Sequence, residues 1–293
     1  MALRKLKLSL LQISVGKDKL LNISRAKGAL ENAKALGSHL VVLPECWNCP
    51  YSTLCFPEYA EVVPRLGETP DPTLSPSASM LCTEAKNLGL WLVGGSVPEL
   101  EDLDSGRKIY NTCIVVNPEG EIVGKHRKVH LFDIDVPGKI KFKESDSLTA
   151  GDSITVVDTP WGGLGVGICY DVRFPELATA MRQRGAVMMI YPGAFNMVTG
   201  PAHWELLQRA RAVDNQVYVA MCSPARDESS SYIAWGHSMV VSPWGEVLCD
   251  AEERDQIVSA EVDLGPLEDM RQSIPCWFQK RDDLYQLKTS NPN

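Results

Sequence analysis

Short β-branched and aliphatic runs alternate along this chain with longer segments of helical character. The runs predict strands at residues 6–14, 39–43, 90–97, 110–117, 163–169, 186–191, 216–222, 234–241 and 256–262. Between them, helices are predicted at 19–35, 74–87, 175–184 and 201–215. The last opens on Gly200-Pro201, and proline suits the first turn of a helix because the amide it lacks has no partner there. Strands separated by helices need crossover connections. The pattern therefore predicts an α/β protein with a mostly parallel, covered sheet.

The pattern also repeats. Val115-Val116-Asn117-Pro118-Glu119-Gly120-Glu121-Ile122-Val123 and Val240-Val241-Ser242-Pro243-Trp244-Gly245-Glu246-Val247-Leu248 agree at five of nine positions. Each reads as a strand, a Pro-x-Gly turn and a return strand. Residues 40–44 and 188–192 correspond too, as strands that stop at Pro44 and Pro192. We read two βαβ-containing halves, about 5–130 and 155–265, each ending in a hairpin. Two half-buried sheets with apolar inner faces would stack on each other and leave the helices outside.

Composition narrows the function classes. Of 293 residues, 44% are hydrophobic and 23% charged, which is globular and not disordered. A net charge of −8 without a long basic run argues against nucleic acid or an anionic membrane as partner. No apolar stretch is long enough to span a bilayer, and the lysines before Leu8 read as part of a first strand and not of an export signal. Nine cysteines, an odd number scattered among apolar stretches, fit a reducing interior, and we expect a cytoplasmic protein with a possible mitochondrial pool.

Three segments deliver a reactive side chain where a strand stops. Residues 39–45 deliver Glu45, residues 163–171 deliver Cys169, and 125–130 deliver a cluster of bases that includes Lys128. Ligands of open α/β sheets sit beyond the carboxyl ends of strands, so these places suit a site. Each residue also has a plain structural explanation: a helix-start carboxylate, a small buried thiol, a solvated basic patch. Glycines 163, 165 and 167 leave little side chain on one face, so another backbone or a ligand can come close. Cys46 and Cys49 have redox-dithiol or half-zinc spacing, but no second pair follows at ligand spacing, and we expect neither metal nor redox function. In the 229–235 stretch, Ser229-Ser230-Ser231 reads as a mobile lid edge and Trp235 as core or pocket wall.

Together and in this order, Leu43-Pro44-Glu45, His126-Arg127-Lys128 and Gly167-Ile168-Cys169-Tyr170-Asp171-Val172-Arg173-Phe174-Pro175-Glu176 resemble the nitrilase-superfamily carbon–nitrogen hydrolases. The resemblance covers about residues 5–285. Asn48-Cys49-Pro50-Tyr51, the 130–138 and 195–204 segments and the 211–216 segment make it most similar to the ω-amidase branch. It implies one domain over 1–293 (a core of about 5–270 and a 271–293 tail, possibly at the dimer interface). It also implies a four-layer α-β-β-α sandwich that dimerises into eight layers, and no cofactor.

The resemblance further implies Cys169 as nucleophile, Glu45 as general base and acid, and Lys128 with the Tyr170 N–H as oxyanion donors. Those residue types suit amide cleavage, because a thiolate is the attacking species and a carboxylate can carry its proton to the leaving nitrogen. Glu144 matches a further family glutamate expected to orient Lys128 and substrate. Arg173, Thr199, Tyr51 and Phe195 are the implied substrate contacts, for short dicarboxylate monoamides such as 2-oxoglutaramate and 2-oxosuccinamate. Three rivals stay open on the sequence: another amidase of the superfamily (for deaminated glutathione, a carbamoyl amide or a nitrile), a silent scaffold, and a thiol redox protein.

Overall fold

A computed structural model describes residues 5–103 and 106–290. The strands are β1 (Lys5–Gln12), β2 (Leu40–Val42), β3 (Trp91–Val93), β4 (Val97–Leu103), β5 (Gly106–Val116), β6 (Ile122–Arg127), β7 (Asp133–Val136) and β8 (Ile140–Lys143). They continue as β9 (Thr155–Thr159), β10 (Gly162–Val166), β11 (Ala186–Pro192), β12 (Tyr218–Cys222), β13 (Met239–Val241), β14 (Val247–Asp250) and β15 (Gln256–Asp263). The helices are α1 (Lys19–Ala35), α2 (Phe56–Tyr59), α3 (Pro76–Leu88), α4 (Pro175–Gln183), α5 (Gly200–Asn215) and α6 (Gly265–Ser273).

Two large sheets form, ordered β15-β1-β2-β3-β5-β4, with β6 also on β5, and β14-β13-β12-β11-β10-β9. Alternation along each strand separates two faces. Leu8, Leu10, Val42 and Val115 share a core with Leu164 and Val166 of the second sheet. Their neighbours Val41, Leu92, Ile114 and Val116 pack against Leu30 of α1 and Leu81 of α3. Helices α4 and α5 cover the second sheet through β11 and β12. The result is the expected four-layer α-β-β-α order.

The duplication is visible in the strand registers. Leu8 lies opposite Leu40 in β1–β2, and Leu164 lies opposite Met188 in β10–β11. Leu92 opposes Val116, and Val219 opposes Val241. Both hairpins carry a bulge at the same step, Val115/Val116 and Val240/Val241. The boundary of the halves needs correction, however. Strand β15 leaves the second half and pairs antiparallel with β1 along eight residues, where β9 is its counterpart on β10. The second half therefore closes the first sheet.

The sheets are also mixed and not mostly parallel as expected: β1–β2–β3 and β10–β11–β12 run parallel, while the hairpins and outer strands pair antiparallel. Three other differences have local causes. The expected strand at 90–97 divides into β3 and β4, because Gly95 sits at φ +64°. The run at 234–241 shrinks to β13, since Gly236 and His237 both take positive φ. Glycines 163, 165 and 167 make room for protein and not for a ligand: a Cβ there would meet Gly185 O, Met181 Sδ or the Tyr191 ring within 2.8 Å.

Gly95 also seats the segment that carries Glu45, because a Cβ there would lie 2.3 Å from Pro44 O and 2.6 Å from Trp47. Substituting Gly95→Ala adds both overpacking and a disfavoured φ, and should lower stability by about 2–4 kcal/mol. Thermal unfolding followed by circular dichroism checks this, and unchanged melting would mean the loop can yield.

Candidate active site

Four chain segments meet at the ends of the sheets. Glu45 leaves β2 on a turn pinned to the first sheet: Leu43 N–H donates to Val93 O, Ser96 N–H to Pro44 O, and Trp47 Nε1 to Gly94 O. Lys128 follows β6, and its N–H donates to Asn111 O at 2.8 Å. Glu144 stands at the foot of the β7–β8 hairpin, where its Oε2 accepts from Phe132 N–H at 2.7 Å. Cys169 begins a short 3-10 turn after β10 with φ +47°.

Lys128 and both glutamates are fully buried. The Lys128 Nζ donates to Glu45 Oε1 and to Glu144 Oε1, each at 2.9 Å. Asn111 Nδ2 donates to Glu45 Oε1 at 2.8 Å, and Tyr51 OH to Glu144 Oε1 at 2.8 Å. Glu45 Oε2 has no hydrogen-bond partner among the described residues. The Cys169 thiol lies beside this carboxylate, close enough for each to shift the other's ionisation. Its Sγ accepts from Ala194 N–H at 3.5 Å. The structure thus brings Glu45, Lys128, Glu144, Cys169 and Tyr51 together, although they are far apart along the chain.

Burial and charge oppose each other here. Burial pushes the Glu45 carboxyl up, against the pull of Lys128, and Glu144 pushes it further. Burial and the Glu45 charge push the Cys169 thiol up, against Lys128 and the Ala194 N–H. Burial alone would lower Lys128, but Glu144, Glu45 and the thiol overcome it and hold the ammonium charged. Glu45 and Cys169 therefore form a coupled pair, each shifting the other's ionisation, beside a charged ammonium.

A cavity of about 430 Å³ opens over Glu45, Tyr51, Ala194 and Tyr232, with exposed Lys17, Asp227 and Ser229 at its rim. Tyr232 stands against Tyr51 with ring centroids 4.5 Å apart, and its OH donates to Ala194 O.

A buried amine between two carboxylates, beside a buried thiol, is an arrangement for acyl transfer to sulfur. The family model for carbon-nitrogen hydrolases matches residues 7–272. This chain belongs to that family. The hydrolase is 54% identical to omega-amidase NIT2-A of Xenopus laevis, across 97% of this chain and 98% of the relative. It is 51% identical to omega-amidase NIT2 of Homo sapiens, across 98% and 99%. Among solved structures, Saccharomyces cerevisiae Nit3, a member of branch 10 of the nitrilase superfamily, superposes with a TM-score of 0.86. That match has 46% identity and covers 96% of this chain and 97% of Nit3.

The remaining expected residues of the hydrolase lie around this centre. Arg173 stacks over Phe195 at 4.8 Å and Tyr170 at 5.5 Å, and bonds His203 Nδ1 at 3.2 Å. Its Nε is buried without a partner, and among the described residues it pairs with no carboxylate. Tyr170 follows the nucleophile inside the 3-10 turn, where an amide N–H has no acceptor within its own helix. Thr199 stands where α5 begins, but its backbone is already engaged. Asn196 Oδ1 already accepts the N–H groups of Val198 and Thr199, and Asn196 O that of Gly200, so the start of α5 offers few free amides. The Thr199 hydroxyl reaches Asn196 Oδ1 only at 3.4 Å, a bond weak enough to yield to a ligand.

Cys46 and Cys49 are buried free thiols in the cavity wall. Among the described residues no cluster of side chains is fit to hold a metal. Trp235 packs over the start of α5, where a Cβ on Gly200 would meet it.

Sequence reasoning missed Asn111, Tyr232 and Asp171. Asn111 sits inside an apolar strand run, where a lone buried amide needs a partner, and that was its signal.

The charge pattern makes a pH prediction. Glu45 must be ionised to take a proton, and its raised carboxyl places the acid limb of kcat/KM above the ordinary carboxylate range of about 4.3. Glu144→Gln removes a like charge that raises Glu45, so the limb should move to lower pH while kcat falls. A pH–rate series on both proteins measures this, and a limb that stays put would separate Glu144 from the titration of Glu45.

Proposed function

We propose that this carbon–nitrogen hydrolase is an ω-amidase. It cleaves the terminal amide of short 2-oxo dicarboxylate monoamides, 2-oxoglutaramate and 2-oxosuccinamate, to the 2-oxo diacid and ammonia. The observation that carries the reading is the free Glu45 Oε2 beside a buried thiol, with Lys128 fixed between Glu45 and Glu144. The relatives that bear the omega-amidase name support the substrate class.

In this mechanism Glu45 takes the Cys169 proton as sulfur attacks the amide carbon. The oxyanion forms between the Lys128 ammonium and the Tyr170 N–H, and loss of one such donor typically costs about 10²–10³ in rate. The C–N bond breaks as Glu45 returns the proton to the nitrogen, which leaves as ammonia. Glu45 then deprotonates a water that attacks the thioester, and sulfur departs with that proton. Glu144, tied to Phe132 N–H and Tyr51 OH, keeps Lys128 aimed at this point.

Substrate choice follows from Arg173. A guanidinium half out of water with no carboxylate to pair with is a site for an external anion, here the 2-oxo acid end, with the Thr199 hydroxyl assisting. Phe195, under the guanidinium, and Tyr51, in the cavity wall, supply apolar surface for the rest of the substrate. We also assign the protein to the reducing cytoplasm on its free thiols, and to a homodimer. The exposed Phe278, Leu284 and Tyr285 of the C-terminal segment are apolar surface that a second copy would cover.

Cys169→Ala should abolish ammonia release from 2-oxoglutaramate. Acid-quenched wild-type enzyme should carry the acyl mass on the Cys169 peptide, and mass on another cysteine would refute the nucleophile. Arg173→Ala should lower kcat/KM for the anionic monoamides by roughly 10–100-fold, the worth of a charged hydrogen bond, and spare an uncharged amide. Equal losses on both substrates would remove Arg173 from anion binding.

A further inference from the structure

The backbone of Cys169 is strained. A left-handed φ on a non-glycine residue costs on the order of 1–2 kcal/mol and persists only when its surroundings impose it. Among those surroundings is a carboxylate two residues along. Asp171 is fully buried, and no lysine or arginine pairs with it among the described residues. Its Oδ2 accepts from Ile168 N–H at 2.9 Å and bonds His126 Nε2 at 3.1 Å. Its Oδ1 accepts from His130 N–H at 2.9 Å and bonds His130 Nδ1 at 2.8 Å. In return, Asp171 N–H donates to Ile168 O at 3.0 Å, which closes the turn around Cys169 and Tyr170.

The two histidines flank Lys128 on either side. His126 is held in turn by Thr155 Oγ1 at 3.0 Å, and the His130 ring lies flat on Phe174 with centroids 3.5 Å apart. One side chain thus grips both the turn that presents the thiol and the segment that presents the ammonium. From this geometry we propose that Asp171 is a positioning residue that sets the placement of Cys169 relative to Lys128, with His126 and His130 as its arms. Its bonds among the described residues are to this turn and to the two histidines. The proposal rests on Cys169 being the nucleophile and Lys128 the oxyanion donor, and goes beyond them to what aligns the two.

A misplacement of about 1 Å at a reacting pair costs on the order of 10²-fold, and that loss falls on kcat when binding is untouched. Asp171→Asn keeps the shape but turns an amide N–H₂ toward donors. It should lower kcat for 2-oxoglutaramate about a hundredfold with KM nearly constant.

His130 provides the arm least tied to folding, because it is only partly buried. His130→Ala should lower kcat with KM held, and His130→Asn, whose Nδ2 can reach Asp171 as Nδ1 does, should restore most of it. Each variant is measured by steady-state kinetics beside thermal unfolding and Cys169→Ala as control. If Asp171→Asn does not fold, the His130 pair decides. An Asp171→Asn enzyme with near-normal kcat, or a His130→Asn enzyme as slow as His130→Ala, overturns the proposal. Activity surviving in Cys169→Ala would instead overturn the nucleophile on which it rests.

Discussion

The site depends on one buried ammonium between two buried carboxylates. Taking Lys128, Glu45 and Glu144 out of water carries a desolvation penalty of several kcal/mol per ion, offset only when geometry is good and the remaining lone pairs are met. With Lys128, the Asn111, Tyr51 and Phe132 donors reach three of the four carboxylate oxygens. The exception is Glu45 Oε2, the oxygen left free for a proton. Stability and reactivity are therefore set by the same cluster: what is satisfied holds the fold together at this point, and what is unsatisfied does chemistry.

The duplicated architecture explains why these residues can meet. With the two sheets in matching register, the position of Cys169 after β10 corresponds to Ile13 after β1. Glu45 after β2 corresponds to Gly193 after β11, and Lys128 after β6 corresponds to Glu253 after β14. The site draws its base and cation from one half and its nucleophile from the other. The related positions hold an aliphatic side chain, a glycine and an acid, which cannot form a second such centre. Gly193 has a different task, since a Cβ there would stand 3.4 Å from the Cys169 Cα. The second half has thus given up a side chain at the end of β11 beside the thiol it places at the end of β10.

Strand and helix order was legible because period-2 and helical patterns record burial directly, and the hairpin repeat recorded the duplication. Strand β15 was legible as a strand but not in its partner, because nothing in an alternating run names the sheet it joins. The β7–β8 hairpin carried a signal that went unread. Asp133-Ile134-Asp135-Val136 and Ile140-Lys141-Phe142-Lys143 alternate with opposite charge around Pro137-Gly138, and Asp135 pairs with Lys141 at 3.1 Å. That hairpin returns Glu144 to Lys128, so reading it would have placed Glu144 from pattern alone. Asp171 was hidden for a different reason: besides the nearby Ile168 amide, its partners are two histidines and an amide some forty residues away, and no spacing rule links them.

The same energetics weigh against a silent scaffold. A buried ion pair is often no more stabilising than well-packed apolar residues of equal volume, so a purely structural role gives no reason to keep three charges in this interior. It gives still less reason to keep a carboxylate oxygen without a hydrogen bond and a guanidinium without a carboxylate partner among the described residues. Both raise the energy of the resting protein, and both are lowered by one visitor: an amide whose N–H₂ meets the carboxylate and whose far end carries a negative charge. The two costs lie in different segments, and a single small amide substrate accounts for both.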